Sequence, residues 1–214
     1  MLPLNEQAYQ HLQNLIMTGQ LSYNQVYSET KLAKELGISR TPFRDAVHRL
    51  AQEGYIDIIP SKGFMLHQLT KTDVVETFQI RSALESYCTL QLSKIYDTDY
   101  AKKIFHDLRW IMKMQKQILD SSQSIKEFSK YDFDFHTTII HSLGNEQFVS
   151  TFGTYMYRMR KLAEQSLARP GRMNETYFEH LAILEAMESG NTQQIYEITL
   201  QHMLIPQSIN LSKL

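Results

Sequence analysis

Apolar residues recur at three- and four-residue steps along most of this chain, and at two-residue steps in one place only. Over residues 4–18, Ala8, Leu12, Leu15 and Ile16 share a face and Gly19 follows, which predicts a first helix. Leu32, Ala33 and Leu36 form a short stripe within 28–38, closed by Gly37. Phe43, Ala46, Val47, Leu50 and Ala51 then line one side of a third helix. Ser39 or Thr41 can cap it, Pro42 fits its first turn where no N–H is needed, and Gly54 stops it. Two short helices joined by a tight glycine turn read as a helix-turn-helix. The two-residue alternation lies in 55–59 and 64–67, on either side of Pro60-Ser61-Lys62-Gly63, and predicts a β-hairpin.

After the polar joint Thr70-Lys71-Thr72-Asp73, a plausible helix cap, helical spacing runs to the end. It predicts helices at 73–95, 99–121, 125–143, 146–168, 174–189 and 192–209. Their connections are short, so neighbours should be antiparallel. The expected fold is mostly α: a winged helix-turn-helix of three helices plus a hairpin wing over 1–69, then an antiparallel all-α bundle over 73–214.

Composition adds limits. The chain has 214 residues and 43% hydrophobic content, enough for a real core. Net charge is −1, and residues 1–68 hold six Lys/Arg against six Asp/Glu, so total charge does not announce a nucleic-acid partner. Placement does: Arg40, Thr41, Arg44, His48 and Gln52 fall on the face of the third helix opposite its apolar stripe. A helix face that begins with two guanidiniums and a hydroxyl suits phosphate and base-edge contact, although alone it also fits an ordinary solvated face. The lone Cys88 excludes an intrachain disulfide and fits a reducing compartment. No basic-then-apolar leader and no run long enough to span a bilayer are visible, so a cytoplasmic protein without a membrane partner is expected.

The run Leu36-Gly37-Ile38-Ser39-Arg40-Thr41-Pro42, with Leu32-Ala33, Arg44, Leu50, Gly54-Tyr55 and Lys62-Gly63, resembles the winged-helix signature of GntR-type bacterial regulators. The resemblance implies a homodimer on a palindromic double-stranded operator. Ser39, Arg40, Thr41 and Arg44 would contact the DNA, with Lys62 and Gly63 at the wing tip. One departure is Thr30, where some relatives carry an arginine.

Within the bundle, Asp132 and His136 are one turn apart and project from one helix face. His180 and His202 lie on the last two predicted helices, which can bring them to one level. Three imidazoles and a carboxylate make a donor set for a borderline divalent cation. Each also has an ordinary reading, since Asp-x-x-x-His is common on helices and the chain has eight histidines. Asp132-Phe133-Asp134-Phe135-His136, Gly144-Asn145, Glu179-His180 and His202 together resemble the FCD-type effector domain of the fatty-acid-regulator (FadR) branch of that family. By that resemblance Asp132, His136, His180 and His202 hold a metal, zinc ahead of nickel or manganese, at the floor of a cavity for a small carboxylate. Arg81 would be the anion's partner, or else simply pair with Glu85; Arg158 and Arg160 are lesser candidates. A ligand-responsive transcription regulator without catalytic residues is therefore expected. The alternatives are a metal-dependent hydrolase or lyase with an accessory winged helix, and a regulator whose metal is purely structural.

Overall fold

The computed structural model describes residues 2–214, and the chain divides into two compact units, Met1–Leu69 and Thr70–Leu214. The first contains α1 (Leu4–Met17), α2 (Glu29–Glu35), α3 (Arg40–Gln52) and the antiparallel strands β1 (Ile56–Ile59) and β2 (Gly63–Leu66). Its core is built as the apolar spacing requires: Ala8, Leu12 and Ile16 of α1 pack on Phe43, Ala46, Val47 and Leu50 of α3. A polar clasp closes the rim of that contact. Arg49 bonds Glu6 (2.9 Å) and Glu53 (3.0 Å) and lies over the ring of Tyr9, whose hydroxyl donates to Glu53 at 2.5 Å. Burial and the Glu53 carboxylate together push the Tyr9 phenol well above its usual pKa. The hairpin pairs Ile56 with Leu66 and Ile58 with Phe64, and Tyr27 adds a further bridge to Phe64.

The second unit holds α4 (Lys71–Lys94), α5 (Asp99–Asp120), α6 (Ile125–His141), α7 (Glu146–Thr154), α8 (Met156–Leu167), α9 (Arg172–Glu188) and α10 (Ile195–Leu211). The polar joint before α4 is a full capping box: Thr70 Oγ1 accepts from the Asp73 N–H at 3.2 Å, and Asp73 Oδ2 accepts from the Thr70 N–H at 2.8 Å. α4 is the central helix and buries several sides of its surface. Val74, Phe78, Cys88 and Leu92 are apolar, but Thr77, Arg81, Glu85, Ser86, Thr89 and Ser93 are buried as well. It lies along α10, where Thr89 and Thr199 share a hydrogen bond of 3.2 Å. Phe105, Leu108 and Met112 of α5, Phe135 and Ile139 of α6, and Leu184 and Met187 of α9 fill the main core.

Residues 146–168, expected as one helix, form two. The break is at Tyr155, whose backbone (φ −93°, ψ 1°) caps α7 and opens α8. Gly153 and the β-branched Thr154 precede it, and both are poor helix formers. The bundle therefore has seven helices among the described residues rather than six. α10 also runs through Pro206 to Leu211; Asn210 pins that end by donating to the carbonyls of Pro206 (2.8 Å) and Leu162 (3.0 Å). Among the described residues no helix is long and apolar enough to cross a membrane.

Candidate functional site

Two sites emerge, one in each unit. In the first, Arg40, Thr41 and Arg44 stand exposed on α3, and Ser39 occupies the cap position without using its side chain there. A cleft of about 320 Å³ opens between α3 and the wing, lined by Arg40, Arg44, His48, Lys62 and Gly63, with Glu29 at its edge. Arg44 Nε lies 3.4 Å from Glu29 Oε2, a pairing that sequence reading did not anticipate. Lys62 projects from the turn of the hairpin. Gly63 has a different position from the one expected: it begins β2, with φ +129°, rather than forming the tip. A Cβ there would sit 1.9 Å from the Tyr27 carbonyl oxygen, so its glycine identity follows from the close approach of the Tyr27 strand segment.

In the second unit, α6 carries Asp132 and His136, α9 carries His180 and α10 carries His202. All four are buried, and one ring nitrogen from each histidine lies within 4.8 Å of those of the other two. The outward nitrogens are all held. His136 Nδ1 lies 2.5 Å from Glu85 Oε2, His202 Nδ1 lies 2.7 Å from Glu179 Oε2, and His180 Nδ1 lies 3.2 Å from the Gln115 amide. An ionised carboxylate only accepts, so with Glu85 and Glu179 ionised, His136 and His202 would carry their protons on Nδ1 and turn Nε2 lone pairs inward. Those two Nε2 atoms are 3.3 Å apart. His180 Nε2 has no hydrogen-bond partner and lies 3.7 Å from Asp132 Oδ1. Phe135 stacks on His180 at 4.1 Å and fixes the plane of its ring.

The electrostatics agree. Burial holds His136 and His180 well below the ordinary imidazole pKa, and the nearby Arg81 pushes in the same direction. Burial lowers His202 too, against the opposing pull of Glu179. Burial raises Asp132 to about 7; Glu85 and Glu179 push the same way, while Arg81 and Arg172 resist. Glu85 is also raised by burial, although it is bonded to Arg81 at 2.9 Å. Glu179 is lowered: burial opposes ionisation, but the bonds from Arg172 and His202 outweigh it. Neutral imidazoles that converge lone pairs on one point, one of them unpaired in a dry interior, carry a penalty of about 1–3 kcal/mol per orphaned atom. A cation at that point removes it. The group drawn together is the three histidines; Asp132 approaches only His180, at 3.7 Å, and stands outside it. Three imidazole nitrogens suit a borderline divalent ion, and carboxylates on the far side of ligand imidazoles are the usual support.

Two small hollows flank the cluster, and Arg81, Asp132 and His136 line both. Arg81 is therefore buried beside the histidines as well as paired with Glu85, so its two expected roles coexist in one geometry. Arg160 lines one hollow and lies 4.3 Å over the Phe133 ring. Arg158 does not join them; it turns onto Asp73 at 3.0 Å, a partner at the start of α4 that the sequence pattern did not suggest. Sequence reading also did not pick out Gln115 and Arg172, and gave Glu179 no role beyond its place next to His180. Glu179 is one residue from His180, yet its side chain reaches His202 on the neighbouring helix. Arg172 is among the largest fully buried side chains and bonds both oxygens of Glu179.

A family model for the FCD domain matches residues 76–204, and one for bacterial regulatory proteins of the gntR family matches residues 4–66. The chain belongs to the GntR family. The FCD match spans more than half of the chain and takes in all four metal-ligand candidates. The chain is 28% identical over 133 residues to the Nta operon transcriptional regulator of Aminobacter aminovorans, covering 62% of this chain and 60% of that protein. It is 27% identical over 173 residues to a gluconate operon transcriptional repressor of Bacillus licheniformis, covering 81% of this chain and 68% of that protein. Its fold matches Escherichia coli McbR/YncC with a TM-score of 0.73 over 100% of this chain and 99% of that one, at 19% identity. GntR-family chains of this type are DNA-binding transcription regulators, not enzymes, which removes the hydrolase or lyase alternative. The gntR-family match, residues 4–66, takes in α1, α2, α3 and the hairpin.

Proposed function

We propose that this GntR-family regulator binds a palindromic operator as a homodimer and senses a small carboxylate through a metal held by Asp132, His136, His180 and His202. The observation that carries the reading is the convergence of one ring nitrogen from each of three buried histidines whose Nδ1 atoms lie against Glu85, Gln115 and Glu179. A bound divalent ion, zinc first and nickel or manganese after it, supplies Lewis acidity toward a carboxylate oxygen. The protein does the rest. Arg81 offers a guanidinium beside the same hollow for the second carboxylate oxygen, and Arg160 adds positive potential from α8. In the first unit Ser39, Arg40, Thr41 and Arg44 divide phosphate from base contacts, and Lys62 meets backbone from the wing. The acid acts only through unequal affinity for two dimer arrangements that space the DNA-binding units differently.

The test begins with selection of an operator from random duplexes, followed by titration of acids on protein of known metal content. Arg81→Ala alone would strand the buried Glu85, so the charge-balanced pair Arg81→Gln/Glu85→Gln is the cleaner variant. With metal at saturation it should keep operator binding and lose about ten- to a hundredfold in acid affinity, one charge-assisted bond. Unchanged acid affinity would place the ligand away from Arg81.

A further inference from the structure

α4 is packed on several sides, yet one stripe of it faces outward. Glu76, Gln79, Ala83, Tyr87 and Lys94 are exposed and Ile80, Leu90 and Gln91 half-buried, while Arg81, Glu85 and Cys88 are buried on its other side. Along Glu76, Ile80, Ala83, Tyr87, Leu90 and Lys94 the steps alternate between four residues and three, the repeat with which one helix packs along another. The middle of the stripe is apolar, and Tyr87 is 50% exposed there. Its ends carry opposite charges, and among the described residues neither Glu76 nor Lys94 has an ion-pair partner.

The stripe is also self-complementary. Positions on the two sides of residue 85 match in pairs: Glu76 with Lys94, Gln79 with Gln91, Ile80 with Leu90 and Ala83 with Tyr87. A second α4 running antiparallel about a two-fold axis at that level sets acid against base, amide against amide and aliphatic against aliphatic, with the small Ala83 beneath a tyrosine ring. Each pair then occurs twice, as an isologous contact requires. A parallel partner would bring Glu76 onto Glu76 and Lys94 onto Lys94. Exposed ion pairs add little affinity, but like charges facing each other select against the wrong orientation.

We infer that the outward stripe of α4 seats a second copy of this chain, antiparallel, with Ile80 against the partner's Leu90 and Ala83 against the partner's Tyr87. The inference rests on the homodimer of the proposed function and names its surface. The test uses the full chain and sedimentation equilibrium at micromolar concentration. Tyr87→Glu buries an unpaired charge on both sides of the axis and should raise the dimer dissociation constant by about a hundredfold or more. Glu76→Lys and Lys94→Glu should each raise it by about tenfold, and the double variant should return close to wild type. Register is read by cross-linking. In the antiparallel pair, two copies of residue 80 lie about 15 Å apart along the axis, beyond the reach of a disulfide. Ile80→Cys and Leu90→Cys chains should therefore cross-link under mild oxidation when co-expressed, and neither should do so alone. The cross-link decides the register even if Tyr87→Glu fails to fold. A dimer that keeps its affinity in folded Tyr87→Glu, that gives no cross-link between residues 80 and 90, or that cross-links in either single variant overturns the inference alone. A monomeric wild type overturns it together with the homodimer reading.

Discussion

Removing the proposed metal should have an effect that depends on His180. His180 Nε2 is buried without a hydrogen-bond partner, and the Nε2 atoms of His136 and His202 face each other at 3.3 Å. A cation that binds only the folded bundle stabilises it by RT ln(1 + [M]/Kd), about 2.7 kcal/mol when the metal is at 100 times its Kd. The unit Thr70–Leu214 is near the size at which 1 kcal/mol moves the melting midpoint by about 2–4 °C, so a chelator should lower its transition by about 5–11 °C. His180→Ala removes a ligand and the orphaned nitrogen together. Its loss of ring packing against Phe135 is partly offset by relief of the unpaired atom, about 1–3 kcal/mol. The variant should therefore melt close to chelated wild type and show little further response to chelator. Differential scanning calorimetry with and without chelator, paired with elemental analysis, reads both quantities. An equal chelator shift in wild type and His180→Ala, or none in a wild type shown to contain metal, would refute the reasoning.

Three further expectations can be checked directly. Arg40→Ala or Arg44→Ala should weaken operator binding by about 1–3 kcal/mol if the arginine reads a base, whereas a phosphate contact would weaken all duplexes and lower the salt slope by about one; titrations at several salt concentrations separate the two. Glu29→Gln frees Arg44 from its 3.4 Å partner and removes a negative charge from the cleft, so duplex affinity should rise by about 0.2–1 kcal/mol, most at low salt, in a fluorescence anisotropy titration. Cys88 is fully buried, and burial with the nearby Glu85 pushes its thiol up to about 12, so a disulfide thiol reagent near neutral pH should react with it only after denaturation.

The helical repeat located nearly every element because each helix buries one stripe, and Phe43, Ala46, Val47 and Leu50 of α3 sit where their spacing puts them. The errors fall where that rule lapses. The stripe through 146–168 does not register a break that depends on Gly153 and Thr154, and α4 has no single polar side because it is packed on several. The site divides in the same way. Asp132 and His136 announce themselves by spacing, since both project from one turn of one helix. Gln115 contacts His180 from 65 positions away, and nothing local marks it. Gly63 was visible as a wing residue, but the reason for its identity, the Tyr27 carbonyl, lies 36 positions upstream in a loop.

That separation bears on how the bundle could report occupancy of its centre. The candidate ligands reach it from α6, α9 and α10, and the groups that orient their rings come from α4, α5 and α9. Glu85 ties His136 on α6 to α4, and Glu179 ties His202 on α10 to Arg172 at the start of α9. An acid that engaged Arg81 would compete for the guanidinium that now bonds Glu85. Such engagement would loosen the α4–α6 connection that runs through Glu85 and His136. If the dimer responds through α4, substitutions at Glu85 should change the extent of the response at saturating acid, read as the residual operator binding that no further acid removes or adds.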